Sequence, residues 1–200
     1  SIVQPSGATF RTVEKDFLVS DDPDFHPTDV FEDADGSLLV IDTGGWFRIG
    51  CPVSKVAKPD IHGTIYRIRR RGAHQATDPR GRFLDAPRLT PAALARHLDD
   101  PRPAVRERVI DRLALADLDA VEALVDVGRP ARAASETARI NAIWALSRID
   151  REPARVELRR ALADPSAGVR AAVARSLGTL RDEPAVPGLL DRLKNDERPA

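Results

Sequence analysis

Several groups of side chains in this 200-residue chain have types and spacings that could do chemistry. His26 and Asp29 stand three apart and could act as an acid–base or metal-binding pair. A lone imidazole with one carboxylate is a sparse constellation, and the plainer reading has His26 capping a loop and Asp29 satisfying turn amides. Asp33, Asp35 and Asp42 offer three carboxylates, and Asp33-Ala34-Asp35-Gly36 starts like the calcium loop of a helix–loop–helix site. The twelfth position of such a loop falls on Gly44, where a bidentate Glu is required. A tight hairpin explains the run better, because Asp-Gly supplies the positive φ that such a turn needs. Cys51, between Gly50 and Pro52, is the single cysteine, which excludes an internal disulfide and any CxxC or CxxCH motif within these residues. It reads as an ordinary thiol.

Two further groups belong to surfaces. Arg67, Arg69, Arg70 and Arg71 close a strand-like run, and alternation places Arg67, Arg69 and Arg71 on one face. They read as a solvated edge that discourages strand pairing. Trp144 is a candidate binding hot spot if it is exposed, and a cover over a join between helical units if it is not; the second reading is favoured. No Ser/His/Asp set, paired carboxylates on one rigid face, or phosphate loop is visible, so the residues carry no catalytic constellation.

The elements that must position these residues fall into two halves. Phe10 to Val13, Phe17 to Ser20, Thr28 to Phe31, Leu38 to Ile41 and Thr64 to Arg69 are short, rich in β-branched or aromatic residues, and bounded by turn formers, so each predicts a strand. Residues 72–88 have no period and read as a linker. Beyond them the period becomes helical, with helices expected at 90–98, 103–116, 118–127, 135–149, 153–163, 166–180 and 185–194. Thr90-Pro91 is an N-cap followed by proline at the first helical position.

Asp100-Pro101, Asp164-Pro165 and Asp196 recur at multiples of 32 residues, a period that marks stacked helical pairs. Aligning the second helix of each pair makes Val105, Ala138 and Val169 equivalent, then Val109, Ala142 and Val173, then Leu113, Leu146 and Leu177. They form one apolar stripe at i, i+4 and i+8. In the same register Trp144 aligns with Asp111 and Arg175, outside the stripe. Asp196-Glu197-Arg198-Pro199-Ala200 begins another unit, and the chain is expected to be a fragment ending in mid-repeat.

Charge excludes some partners. The 31 basic and 31 acidic side chains balance, and neither half is polarised, so no field favours nucleic acid or an anionic membrane. No apolar run approaches the ~20 residues of a membrane-spanning helix.

The Val-Arg-x-x-Ala-x-x-x-Leu pattern after an Asp-Pro turn, over residues 89–200, resembles HEAT-like repeats. In such repeats Asp100 with Arg106, and Asp164 with Arg170, would belong to a ladder linking neighbouring units; Ala133 breaks the pattern six residues before Arg139. Residues 7–71, with Phe25-His26-Pro27-Thr28-Asp29-Val30, Asp35-Gly36-Ser37-Leu38-Leu39-Val40-Ile41-Asp42 and Gly63-Thr64-Ile65-Tyr66-Arg67, are similar to the last part of a β-propeller in bacterial membrane-bound dehydrogenases. That resemblance implies a propeller related to quinoprotein sugar dehydrogenases, then HEAT repeats, then a c-type cytochrome domain. It also implies an extracytoplasmic or periplasmic location. Where quinoproteins present Arg-x-Arg-Asp-Val to the cofactor, this chain has His26-Pro27-Thr28-Asp29-Val30, which removes two charge-assisted partners worth roughly 1.5–3 kcal/mol each.

The expectation is therefore an α+β chain. Residues 1–71 form a strand segment from a propeller's end, 72–88 a linker, and 89–200 an α-solenoid of HEAT-like repeats. The expected function is a non-catalytic interaction or scaffold module within a larger dehydrogenase-like protein, with other domains of that protein or another protein as partners. The alternatives are an inactive piece of a quinoprotein sugar or alcohol dehydrogenase, and a carbohydrate-binding surface protein. Haem c, or pyrroloquinoline quinone with calcium, would belong to the parent. His26 and Asp29 are the candidate cofactor contacts, and Trp144 is the candidate interaction residue.

Overall fold

The computed structural model describes residues 2–6, 9–44, 60–72, 77–129 and 135–196. The chain divides into two compact units, Ser1–Pro79 and Arg80–Ala200.

The first unit is built of strands. β1 (Ile2–Ser6) and β2 (Thr9–Val13) form an antiparallel pair with Ile2 opposite Val13 and Ser6 opposite Thr9. β3 (Pro27–Glu32), β4 (Leu38–Asp42) and β5 (Thr64–Ile68) form an antiparallel sheet in the order β3-β4-β5. The β3–β4 turn is the expected hairpin. Gly36 takes φ +77°, its amide donates to Asp33 O at 2.8 Å, and the Asp33 amide donates to Ser37 O at 2.7 Å. Gly63 is required where the chain leads into β5, because a Cβ there would lie 2.6 Å from the Asp42 carbonyl oxygen.

Two strand readings differ from the structure. Phe17–Ser20 is not a strand, and Phe17, Leu18 and Val19 are exposed. β propensity describes a fit to a pleated, half-buried surface, and no described strand pairs with this segment. Ile2–Ser6 is a strand that the pattern did not predict, since Pro5 counts against one. Among the described strands of this unit β4 alone lies between two neighbours. Val40 is its one buried hydrophobic among the described residues, whereas all of β3 is exposed.

The second unit is helical. α1 (Pro91–Ala95) runs into a 3-10 turn at Arg96–Asp99, and α2 (Pro103–Leu115) returns beside it. A 3-10 turn at Asp117–Ala120 leads into α3 (Val121–Gly128), which packs on α4 (Glu136–Ile149). α5 (Glu152–Arg160) closes in a 3-10 turn at Ala161–Ala163 and precedes α6 (Ala167–Thr179). A last 3-10 turn, Glu183–Ala185, opens α7 (Val186–Asn195). The helix starts are capped as their residues dictate. Thr90, Ser135 and Ser166 accept the amides of Ala93, Ala138 and Val169 at 3.3, 3.0 and 3.3 Å. Asp117, Asp150 and Arg181, at equivalent repeat positions, take φ of 51°, 49° and 49° and turn the chain after α2, α4 and α6.

The nine stripe residues are all buried, with Val105, Val109, Leu113, Ala142 and Val173 fully so. Among the described residues they belong to one core of 24 buried residues that starts at Ala86. Residues 80–88, read from sequence as linker, pack onto the helices. Ala86 is 1% exposed, and Arg108 donates to the carbonyls of Arg80 and Gly81 at 2.7 and 2.5 Å. No helix among the described residues is long and apolar enough to cross a membrane.

Candidate interaction surface

Arginine and aspartate join the helical units in series. Arg106 and Arg170, each six residues after a turn aspartate, do not reach that residue's carboxylate. They donate instead to its carbonyl, Arg106 to Asp100 O at 2.7 Å and Arg170 to Asp164 O at 2.9 Å. The carboxylates of Asp164 and Asp196 are met from the preceding unit. Arg139 Nε lies 3.1 Å from Asp164, and Arg170 grips Asp196 through Nε and Nη2 at 2.6 Å each. These pairs are largely shielded from water, so they specify the spacing between units more than surface pairs could. Asp100 is held through both oxygens by Arg102 Nε and Nη2 at 2.8 Å. Its hydrogen bond from Arg102, together with the Arg102 amide and against the cost of burial, lowers its pKa to about 2.

A second clasp was not foreseen. Arg155 and Arg159 stand four apart on α5, so both reach one point in space. That point is Asp182, whose side chain is 1% exposed and which meets Arg159 Nη1 at 2.9 Å and Arg155 Nη1 at 3.5 Å. The i, i+4 arginine pair is the sequence feature from which a shared acidic partner could have been read.

In the strand unit, Arg67 is not a bare edge residue. It pairs with Asp33 at 2.7 Å and Asp35 at 3.3 Å, Arg69 reaches Asp35 at 3.1 Å, and the hairpin is thereby tied to β5. Ser37 donates its hydroxyl and amide to Asp35 and, with Arg69 and Arg67, holds that carboxyl well below the usual range. The three aspartates thus have separate structural roles. Asp42, buried, accepts the amides of His26 and Gly44 at 3.0 and 2.8 Å.

His26 and Asp29 each have a local partner. His26 Nδ1 donates to the Asp24 carbonyl at 2.8 Å, and Asp29 accepts the amide of Val30 at 2.8 Å. Cys51 lies outside the described residues. Trp144 is half-buried and packs against the helical core. Arg148, one turn further along α4, pairs with Asp111 of α2, and Arg175 of α6 is exposed; Asp111 and Arg175 hold the repeat positions equivalent to Trp144. A cleft of about 370 Å³ between α3, α4 and α5 has Leu124, Ile143 and Leu146 on its walls, with Glu157, Arg160 and Asp164 among its polar groups. Those polar groups are engaged already, Asp164 by Arg139 and Glu157 by Arg160.

A repeat with one buried stripe, left-handed closures at equivalent positions and arginine–aspartate links between units is what a stacked helical array requires. Residues 129–200 match the family model for HEAT repeats. That stretch is a HEAT-like helical solenoid, and α2 buries the same stripe upstream of it, at Val105, Val109 and Leu113. No curated protein matches the chain.

Proposed function

We propose that the solenoid is a non-catalytic interaction module that docks other domains of its own parent protein, or a second protein, along the outer row of α2, α4 and α6. One observation carries this reading. Trp144 is half-buried on α4, at the repeat position that Asp111 holds on α2 and exposed Arg175 holds on α6, and Arg148 of α4 pairs with Asp111. A partly exposed aromatic in a row of otherwise charged positions has the composition of a binding hot spot.

In the finer form of the proposal the parent is a dehydrogenase-like protein and the strand unit belongs to the end of a propeller. Haem c or pyrroloquinoline quinone with calcium then sits elsewhere in the parent, and the location is extracytoplasmic. Support comes from the order of a strand unit followed by repeats, and from the motifs of residues 7–71.

Photo-crosslinking in cells tests the module. A benzoyl-phenylalanine at position 175 is expected to form a discrete adduct, and one at position 160 on α5 is not. Equal adducts at both positions, or none at 175, contradict the assignment. Calorimetric titration with pyrroloquinoline quinone and Ca²⁺ tests the non-catalytic reading. No binding is expected, and micromolar binding with aldose-dependent dye reduction would make His26 and Asp29 working residues.

A further inference from the structure

In the second sheet β3 is an outer strand, paired on one side by β4. The Asp33 amide faces β4, since it donates to Ser37 O. Amides alternate along a regular strand, and the register is regular from Asp29 to Glu32, so those of Phe31 and Asp29 also face β4, and those of Glu32 and Val30 face the other way. Among the described residues no strand lies on that side of β3. All six residues of β3 are exposed, with Val30 at 59% and Phe31 at 46% on opposite faces.

Open edges in proteins are commonly blocked by lysine, an internal proline or a bulge. Here Pro27 and the irregular pairing around Thr28 lie at the start of β3, and Asp29 to Glu32 run in regular register against Ile41 to Leu38. The one obstacle is Asp29 itself, whose carboxylate accepts the outward amide of Val30. The surroundings share its sign. Residues 21–32 contain Asp21, Asp22, Asp24, Asp29 and Glu32 with no lysine or arginine.

We propose that the open edge of β3 is a docking site for an extended polypeptide segment that alternates basic and apolar residues and adds to the sheet as a fourth strand. A cation on the incoming strand draws the Asp29 carboxylate away from the Val30 amide, and the freed amide then pairs with a carbonyl of the newcomer. Apolar residues of the newcomer lie beside Val30 and Phe31. Backbone pairing supplies affinity and the alternate side chains supply selectivity, as in strand addition generally. A β3–β3 pairing between two copies would bring acidic edges together and is disfavoured. The proposal concerns the strand unit and stands or falls apart from the role given to Trp144.

The test is amide exchange of the complete chain, read at single residues by NMR, with the peptide Arg-Val-Lys-Ile-Arg-Val-Lys and a counterpart carrying Glu at the basic positions. The basic peptide is expected to slow exchange at Val30 and Glu32 by at least about tenfold, and the acidic one to leave it unchanged. In the Asp29→Lys variant the preference should shift toward the acidic peptide while the β4 and β5 amides exchange as before. Three results overturn the proposal: no slowing by the basic peptide, equal slowing by both peptides, or full protection of both amides in the chain alone. The last would mean that this chain or a second copy already covers the edge.

Discussion

Ser176 has a buried hydroxyl with no hydrogen-bond partner among the described residues, on a helix where every neighbour at the same depth is apolar. A buried polar atom without a partner costs free energy. The equivalent position in α4 is Ala145, which is fully buried, so the repeat accommodates a methyl there. Ser176→Ala is therefore expected to raise stability by up to about 1 kcal/mol in urea unfolding, and a loss of more than that would mean the hydroxyl has a partner. Asp100 makes the opposite case. Its pKa is lowered to about 2 in the folded chain, against about 3.9 unfolded. The group thus stabilises the fold above pH 4, and that contribution is lost as pH falls from about 4 towards 2. Urea midpoints measured across this window should fall more steeply for the unmodified chain than for Asp100→Asn, and parallel curves would remove Asp100 from the account. Single residues were the least legible part of the sequence. The hairpin at Asp33–Gly36 could be read because its φ requirement is local, but the Arg67–Asp33 contact spans 34 positions and depends on how β5 docks. Arg112 is a similar case. The repeat register places it outside the stripe, yet its Nε is buried and has no described partner.

At the scale of elements, the stripe carries the energy. Leu146 is 3% exposed and sits on α4, the helix that packs against α2, α3, α5 and α6. Leu146→Ala should cost about 2–5 kcal/mol, because the truncation leaves a void that helices on several sides cannot all close. Arg175→Ala, on the exposed side of α6, should change stability by less than about 0.5 kcal/mol. Equal losses in a parallel denaturation series would show that the stripe is out of register. The helices were legible because apolar positions return every three or four residues and a serine, a threonine or an Asp-Pro turn marks several of the starts. The 3-10 turns at Arg96–Asp99, Asp117–Ala120, Ala161–Ala163 and Glu183–Ala185 were not, since i+3 and i+4 bonding leave the same apolar pattern over a single turn. Phe17–Ser20 shows the converse. A strand composition predicts a strand only where a neighbour accepts it, and composition does not reveal the neighbour.

For the whole molecule, the two units differ in what holds them. The described part of the helical unit has a continuous core of 24 buried residues, to which Ala86 belongs and on which Leu84 and Leu89 pack ahead of the first helix. The described part of the strand unit buries Val40 as its one hydrophobic residue and leaves Phe10, Phe17, Val19, Val30 and Ile65 exposed. A few strands without an apolar layer over them are marginal in water. The helical unit thus has a core of its own, the described strands bury little, and the division between the two units falls at Pro79–Arg80. Urea unfolding of residues 80–200 alone, followed by far-UV circular dichroism beside the complete chain, tests this most directly. The account predicts one cooperative helical transition at the same midpoint in both. A broad, non-cooperative transition, or a midpoint well below that of the complete chain, would contradict it by showing that the strand unit helps to hold the repeats together.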